Sequence, residues 1–205
     1  MADETGGDAH LVERRLRSER LLQGNFLEVR RDVVVLPDGT ETTREYIVHP
    51  GAVAVIPLLD DGRVVLVRQY RYPIGRTLVE LPAGKRDPGE TTLQCGQREL
   101  LEETGYRARE WAYAGEIHNA AAYSSESIWL WFARGLEAGP QQLETGEFVE
   151  VLRLTETEMD ALAAGDGLPD VKTRIGLQWL QRVRAGDWSL QWHGAADAAH
   201  LSSSP

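Results

Sequence analysis

The chain has 205 residues, 42% of them hydrophobic and 26% charged, which is the balance of an ordinary globular protein with enough apolar material for a core. Its 32 Asp and Glu against 22 Lys and Arg leave a net charge of −10. That charge argues against duplex DNA or RNA as the main partner, because a basic face supplies most of such affinity. The single cysteine, Cys95, excludes an internal disulfide framework and a Cys-rich zinc site.

Residues 1–10 carry Asp3, Glu4 and Asp8 and no apolar stretch, so no secretory signal is expected there. No apolar run approaches the ~20 residues needed to span a bilayer. The expected setting is cytoplasmic, with no membrane partner. Strand-like residues at 26–35 and 43–48 flank Asp38-Gly39, a hairpin signal. Pro50-Gly51 then marks a boundary. Two Val-rich runs, 52–59 and 63–70, are joined by Asp60-Asp61-Gly62, which reads as a second hairpin. A short strand at 78–81 ends at Pro82. Residues 91–104 read as a helix, with a threonine N-cap and Gly105 as its stop. Strands are expected at 111–117, 128–133 and 148–154. A helix at 155–164 opens on a capping box, Thr155 with Glu158, and an amphipathic helix covers 172–184. Hairpins with interspersed helices predict an α+β fold with a mixed sheet and helices on its faces. The expected division is an N-terminal β segment at 1–50, a main domain at 51–185 and a C-terminal tail at 186–205.

Chemistry concentrates between Leu81 and Tyr106. On a helix, Glu99 and Glu103 are i,i+4 and Glu99 and Glu102 are i,i+3, so three carboxylates share one side. Their repulsion is not relieved by interleaved lysines, and carboxylate oxygens suit a hard divalent cation such as Mg²⁺ or Mn²⁺. Arg98 can brace one of them, and the Pro/Gly-rich loop before the helix can bring backbone carbonyls. Taken alone, Glu-x-x-Glu-Glu is common and fits a solvated acidic face better than a cation site. The full spacing is more specific. Gly84, five residues, Glu90, seven residues, Arg98-Glu99-Leu100, one residue, Glu102-Glu103, one residue, Gly105 is the pattern. With ordinary residue frequencies its chance occurrence at one start position is on the order of one in 10⁹.

This pattern resembles the Nudix box, and the resemblance to Nudix hydrolases covers residues 50–185. It implies an α/β/α sandwich, a loop–helix–loop that binds divalent metal, and hydrolysis of a nucleoside diphosphate linked to another moiety. The implied metal ligands are the Ala83 carbonyl, Glu99 and Glu103, with Glu102 and Arg98 as further ligand or bracing groups. Gly84, Glu90 and Gly105 are implied as structural members of the motif.

Other residues resemble the ADP-ribose pyrophosphatase branch: the N-terminal β segment, Gln69-Tyr70-Arg71-Tyr72, Glu80-Leu81-Pro82-Ala83-Gly84 and the helix from Ile175 to Leu180. That likeness implies a homodimer and places Phe26, Arg44, Arg71 and Glu80 at the substrate. Each arginine also fits a surface salt bridge, and Phe26 fits hairpin core as well as a base platform. The branch's proline after the box, which marks ADP-ribose preference, is here Ala121. Other nucleoside diphosphate sugars, GDP-mannose among them, therefore stay open. The late acidic loop implies Glu147 as a metal ligand, with Glu144, Glu126 or Glu102 as general base. A Nudix domain kept as a ligand sensor is the reading of another class, and the intact glutamates speak against it.

Overall fold

The computed structural model describes residues 7–196, and its contacts divide the chain into two units. One comprises residues up to His49 together with Ala120–Glu126; the other comprises the rest.

The smaller unit is a three-stranded antiparallel sheet in the order β1 (Arg14–Gln23), β2 (Glu28–Val35), β3 (Glu41–Val48). The β2–β3 hairpin turns at Asp38, whose carboxylate accepts the Thr40 N–H at 2.9 Å and the Thr40 hydroxyl at 2.7 Å. The strand β1 is an addition to the expected hairpin. Its Arg-rich sequence lacks the β-branched residues that signal a strand, and every residue of it is exposed. Pairing with β2 makes it a strand. Phe26, expected as the start of a strand, lies in the turn between β1 and β2, where Gly24 N–H meets the Leu27 carbonyl at 2.8 Å. The segment Ala120–Glu126 docks beside the end of β3, with Ile47 N–H donating to Tyr123 O at 2.9 Å and Ser125 N–H to Ile47 O at 3.0 Å.

The larger unit is built on β4 (Ala52–Pro57), whose six residues are all buried. A strand covered on both faces reads as a continuous apolar run rather than an alternating one. Ala54 and Ile56 look into one core with Leu66, Phe132 and Leu180; Val53 and Val55 look into the other with Leu93, Leu100 and Trp131. The five-stranded mixed sheet runs β11 (His193–Gly194), β8 (Tyr106–Ile117), β9 (Ile128–Ala138), β4, β7 (Ala83–Lys85), with β4 and β9 parallel. A second, antiparallel sheet runs β10 (Val149–Leu154), β5 (Val64–Arg71), β6 (Arg76–Glu80). Helices α1 (Thr92–Thr104) and α3 (Val171–Arg184) both pack on β4, α1 through Leu93 and Leu100 and α3 through Leu180, so they belong to its opposite cores. Helix α2 (Glu156–Ala164) opens on the expected capping box. The α+β architecture with a mixed sheet is the one expected.

One expectation needs correction. The Asp60–Gly62 turn exists, with Gly62 N–H on Leu59 O at 2.9 Å, but β4 and β5 enter different sheets and share one isolated bridge, Leu58 to Val64. The reason is that β4 already pairs with β7 and β9, and β5 with β6 and β10. Within the expected C-terminal tail, residues 188–194 make contacts of their own, and residues 197–205 lie outside the described residues. Trp188 packs edge-on against Phe132 and Trp179, Trp192 lies under the Arg134 guanidinium, and His193–Gly194 pairs with β8. Tryptophans in a supposed tail were the signal.

Candidate active site

Helix α1 begins at Thr91, whose hydroxyl accepts the Gln94 N–H while the Gln94 side chain returns to the Thr91 N–H at 2.9 Å. It ends at Gly105, which adopts φ of +74° and gives its N–H to Leu101 O at 2.8 Å. Between these caps the carboxylates divide. Glu99 and Glu103 are buried, whereas Glu102 is partly exposed.

Arg98 holds the outer acids. Its Nε donates to Glu90 at 2.9 Å, its Nη1 to Glu99 at 2.7 Å and to Glu102 at 3.0 Å, and its Nη2 to Glu90 at 2.9 Å and to the Lys85 carbonyl at 2.8 Å. Glu90 also accepts the Asp87 N–H at 3.0 Å, so this one guanidinium ties the loop before the helix to the helix face. Glu103 is held differently, by the Ala83 N–H at 2.9 Å. A Cβ added to Gly84 would overlap the Glu99 carboxylate. Gly84 is thus needed for close approach of that side chain.

Burial pushes Glu99 up to about 7, against the pull of Arg98, with Glu102 and Glu147 adding to the push. Burial pushes Glu103 up to about 8, against its Ala83 hydrogen bond, with Glu99 and Glu147 adding. Glu147 is therefore within electrostatic range of both helix acids. It sits in a turn where its N–H donates to Glu144 O at 3.1 Å and its carboxylate accepts the Glu144 N–H at 3.2 Å. The loop carrying them is anchored to α1: the Gln141 side chain donates to Glu103 O at 2.6 Å and Gln142 N–H to Glu102 O at 3.0 Å. Gln141 and Gln142 were not singled out by sequence, because neither residue type signals an anchor.

A second charged group adjoins the box. Arg71 donates from Nε and Nη2 to the two oxygens of Glu80, at 2.7 and 2.8 Å. Lys172 pairs with the same carboxylate and, at 3.0 Å, with Asp170. Glu80, expected at the substrate, is only 1% exposed, with both its oxygens engaged by Arg71. Arg71 itself is 40% exposed at its side chain. Lys172 went unnoticed in the sequence because a lysine on an amphipathic helix normally snorkels to water.

Phe26, Arg44 and Glu126 belong to the smaller unit. Phe26 is 56% exposed and edge-on to His49. Arg44 forms an ion pair with Glu13, its Nε at 2.9 Å, and lines a cleft of about 440 Å³ with Tyr46, Ala121 and Tyr123. Glu126 lies 3.6 Å from the His49 imidazole.

Among the described residues, no three or more His, Cys, Asp and Glu side chains converge as a complete metal cage. The donor set nevertheless fits a hard cation. Glu99 and Glu103 are buried acids whose pKa values burial raises, and they are hard oxygen donors beside the Ala83–Gly84 backbone. Mg²⁺ keeps several waters and takes substrate phosphate oxygens, so a partial protein shell suffices.

The NUDIX domain model matches residues 48–171. The chain belongs to the Nudix hydrolase family. A model of the nucleoside diphosphate sugar hydrolase N-terminal domain matches residues 13–47 of this Nudix hydrolase. The chain is similar to the ADP-ribose pyrophosphatase of Bacillus subtilis (strain 168), at 34% identity over 177 residues, covering 85% of this chain and 96% of that one. It is likewise similar to the methanol dehydrogenase activator of Bacillus methanolicus, at 35% identity over 175 residues, covering 84% and 95%. Its fold matches a crystal structure of an ADP compounds hydrolase with a TM-score of 0.77, at 21% identity over 86% of this chain and 97% of that one.

Proposed function

We propose that this Nudix enzyme hydrolyses the diphosphate bond of ADP-ribose or a related nucleoside diphosphate sugar, giving a nucleoside monophosphate and a sugar phosphate. The observation that carries the proposal is the pair of buried carboxylates, Glu99 and Glu103, raised to about 7 and about 8 beside the Ala83–Gly84 backbone. Two buried acids whose burial outweighs the pull of the single cation in contact, Arg98 on Glu99, mark a place where further positive charge is expected to arrive. The similarity to an ADP-ribose pyrophosphatase over nearly its whole length supports the substrate class.

Glu99, Glu103, the Ala83 carbonyl and Glu147 would hold Mg²⁺ or Mn²⁺. Such an ion, when bound, neutralises phosphate oxygens and lowers the pKa of a bound water. The chain's own residues do the rest. Arg71 grips a phosphate oxygen, and Arg98 holds Glu90 and Glu102 in place. Glu144 or Glu126 takes the proton of the attacking water, with Glu102 as the next candidate. Phe26 stacks on the base, and Arg44 joins Arg71 in gripping the substrate. Ala121 lines the Arg44 cleft, and without proline's fixed φ this loop favours a broader range of sugars, GDP-mannose included.

The proposal extends to a homodimer in the cytoplasm. Leu16, Leu21 and Leu22 on β1 are exposed apolar residues that a second copy would cover. Light scattering at micromolar concentration should report twice the chain mass; a stable monomer removes the dimer. Among the described residues no helix is long and apolar enough to cross a membrane.

The test of function is a panel of nucleoside diphosphate sugars with Mg²⁺ and identification of the phosphate products. ADP-ribose should be cleaved, with several other sugars within about tenfold in kcat/KM, a gap of ~1.4 kcal/mol. An inactive panel sinks the proposal, and a hundredfold preference for ADP-ribose overturns the reading of Ala121.

A further inference from the structure

The ion group beside the box sets two cations, Arg71 and Lys172, on the one buried carboxylate of Glu80. Arg71 meets Glu80 side-on through Nε and Nη2, which leaves its Nη1 amino group without a protein partner among the described residues. Its environment includes the Glu103 carboxylate, so this guanidinium lies within electrostatic reach of the buried acids of α1. An arginine locked to one carboxylate has little net charge left to attract an anion. Here the carboxylate is shared. Lys172, itself buried, contacts Glu80 on the oxygen that also receives Arg71 Nη2. Two cations then face one anion, and the surplus charge resides at the more exposed of the two, Arg71.

Asp170 could cancel that surplus, since it lies 3.0 Å from Lys172. It is, however, the N-cap of α3, and its other oxygen accepts the Thr173 N–H at 2.9 Å and the Thr173 hydroxyl at 2.6 Å. The partial positive charge at the helix N-terminus takes up part of its negative charge. The same turn fixes the loop mechanically. Thr173 Oγ1 accepts the buried N–H of Leu81 at 2.9 Å, the residue after Glu80. The start of α3 thus sets both the charge on Glu80 and the position of the strand end that leads to Ala83.

We propose that Lys172 is a positioning residue for substrate binding: by neutralising the buried Glu80 carboxylate it leaves the charge of Arg71 available to a phosphate oxygen of the substrate. The inference rests on the reading of Arg71 as a phosphate-gripping residue. Lys172 does not touch the substrate and acts through Glu80. Its removal leaves one anion opposing Arg71 in a poorly solvated site, where the opposition is strong.

The experiment measures the Kd of ADP-ribose by calorimetry without divalent metal, and kcat and KM with Mg²⁺, in four variants. Lys172→Met should raise Kd and KM by at least about tenfold with kcat within about threefold, since the affected interaction is uniform binding. Lys172→Arg should stay within about threefold of the parent chain. The double variant Glu80→Gln with Lys172→Met removes both charges, and its Kd should return to within about threefold of the parent. A merely structural lysine gives a different result: a lower Tm with unchanged Kd, or a double variant no better than the single one. Either result overturns the inference. If Lys172→Met does not fold, the double variant decides, because it removes the buried Glu80 charge together with the lysine; a loss above tenfold there overturns the inference too. Arg71→Ala separates the two readings. If it binds ADP-ribose as tightly as the parent, the reading of Arg71 fails; if it binds weakly while Lys172→Met binds normally, only the role of Lys172 fails.

Discussion

The Glu103 carboxylate accepts the backbone N–H of Ala83 at 2.9 Å, and so couples the last turn of α1 to the strand that precedes the box. That hydrogen bond needs an acceptor oxygen but no charge. Glu103→Gln retains an amide oxygen for Ala83 and removes the buried charge, so the fold should persist, with a Tm equal to or above that of the parent. Turnover should fall at least ~10²-fold, as when an electrostatic contribution to the transition state is removed. Steady-state kinetics paired with thermal unfolding checks this. Near-normal kcat in the folded variant would remove Glu103 from the mechanism.

Gly84→Ala probes the same pocket without changing any charge. The added Cβ overlaps the Glu99 carboxylate, so Glu99 must swing away from the backbone. Stability should change little, because the overlapping atoms are the far end of a flexible side chain and not backbone. Activity should fall ten- to a hundredfold, the scale expected for a misplaced group at a reaction centre. A fully active Gly84→Ala protein would mean that the Glu99 position seen here is not the one used in turnover.

Acid stability should depend on Glu80. Burial alone would raise its pKa, but the hydrogen bonds and charges of Arg71 and Lys172 outweigh burial and hold it below the usual carboxylate range. A carboxylate with a depressed folded pKa contributes stability that is present above its unfolded value, near 4.3, and is lost as pH falls through the folded value. Tm measured in steps from pH 6 to pH 3 should therefore drop, and Glu80→Gln should flatten part of that drop while lowering Tm at pH 6. A Glu80→Gln curve parallel to the parent curve would contradict the ion group as drawn.

The legible parts of this protein were those dictated locally. Helix α1 was readable from Thr91 to Gly105 because caps and carboxylate spacing act within a few residues. Strand β1 was not, because its residues have no strand preference and gain their conformation from β2. The β4–β5 turn was correctly placed but wrongly paired, since a turn signal fixes a reversal of the chain and not which sheet receives each strand. Arg71 was legible, but its partner Lys172, 101 positions later in the chain, was not. A buried lysine is recognisable only once Glu80 is seen beneath it, and that juxtaposition is created by the packing of α3.

The late acidic loop supplies the last test. Gln141 and Gln142 fasten it to the end of α1, and Glu147 already influences both buried acids, whereas Glu144 contributes only backbone contacts to the turn. Two helix carboxylates leave most of an octahedral shell to water, phosphate and a further carboxylate. The water that attacks also needs a proton acceptor within ~3 Å that is not itself a ligand. The proposed function gives Glu147 the first role and Glu144 or Glu126 the second. Glu147→Gln should therefore raise the Mg²⁺ concentration needed for half-maximal rate several-fold. Whichever of Glu144→Gln and Glu126→Gln removes the base should lose kcat by ~10²-fold or more, with KM almost unchanged, because a base acts only in the transition state. Measuring all three across a Mg²⁺ titration separates the roles. If the three variants keep full kcat and the same metal requirement, the acceptor lies on the helix itself, and Glu102, held 3.0 Å from Arg98, becomes the residue to substitute.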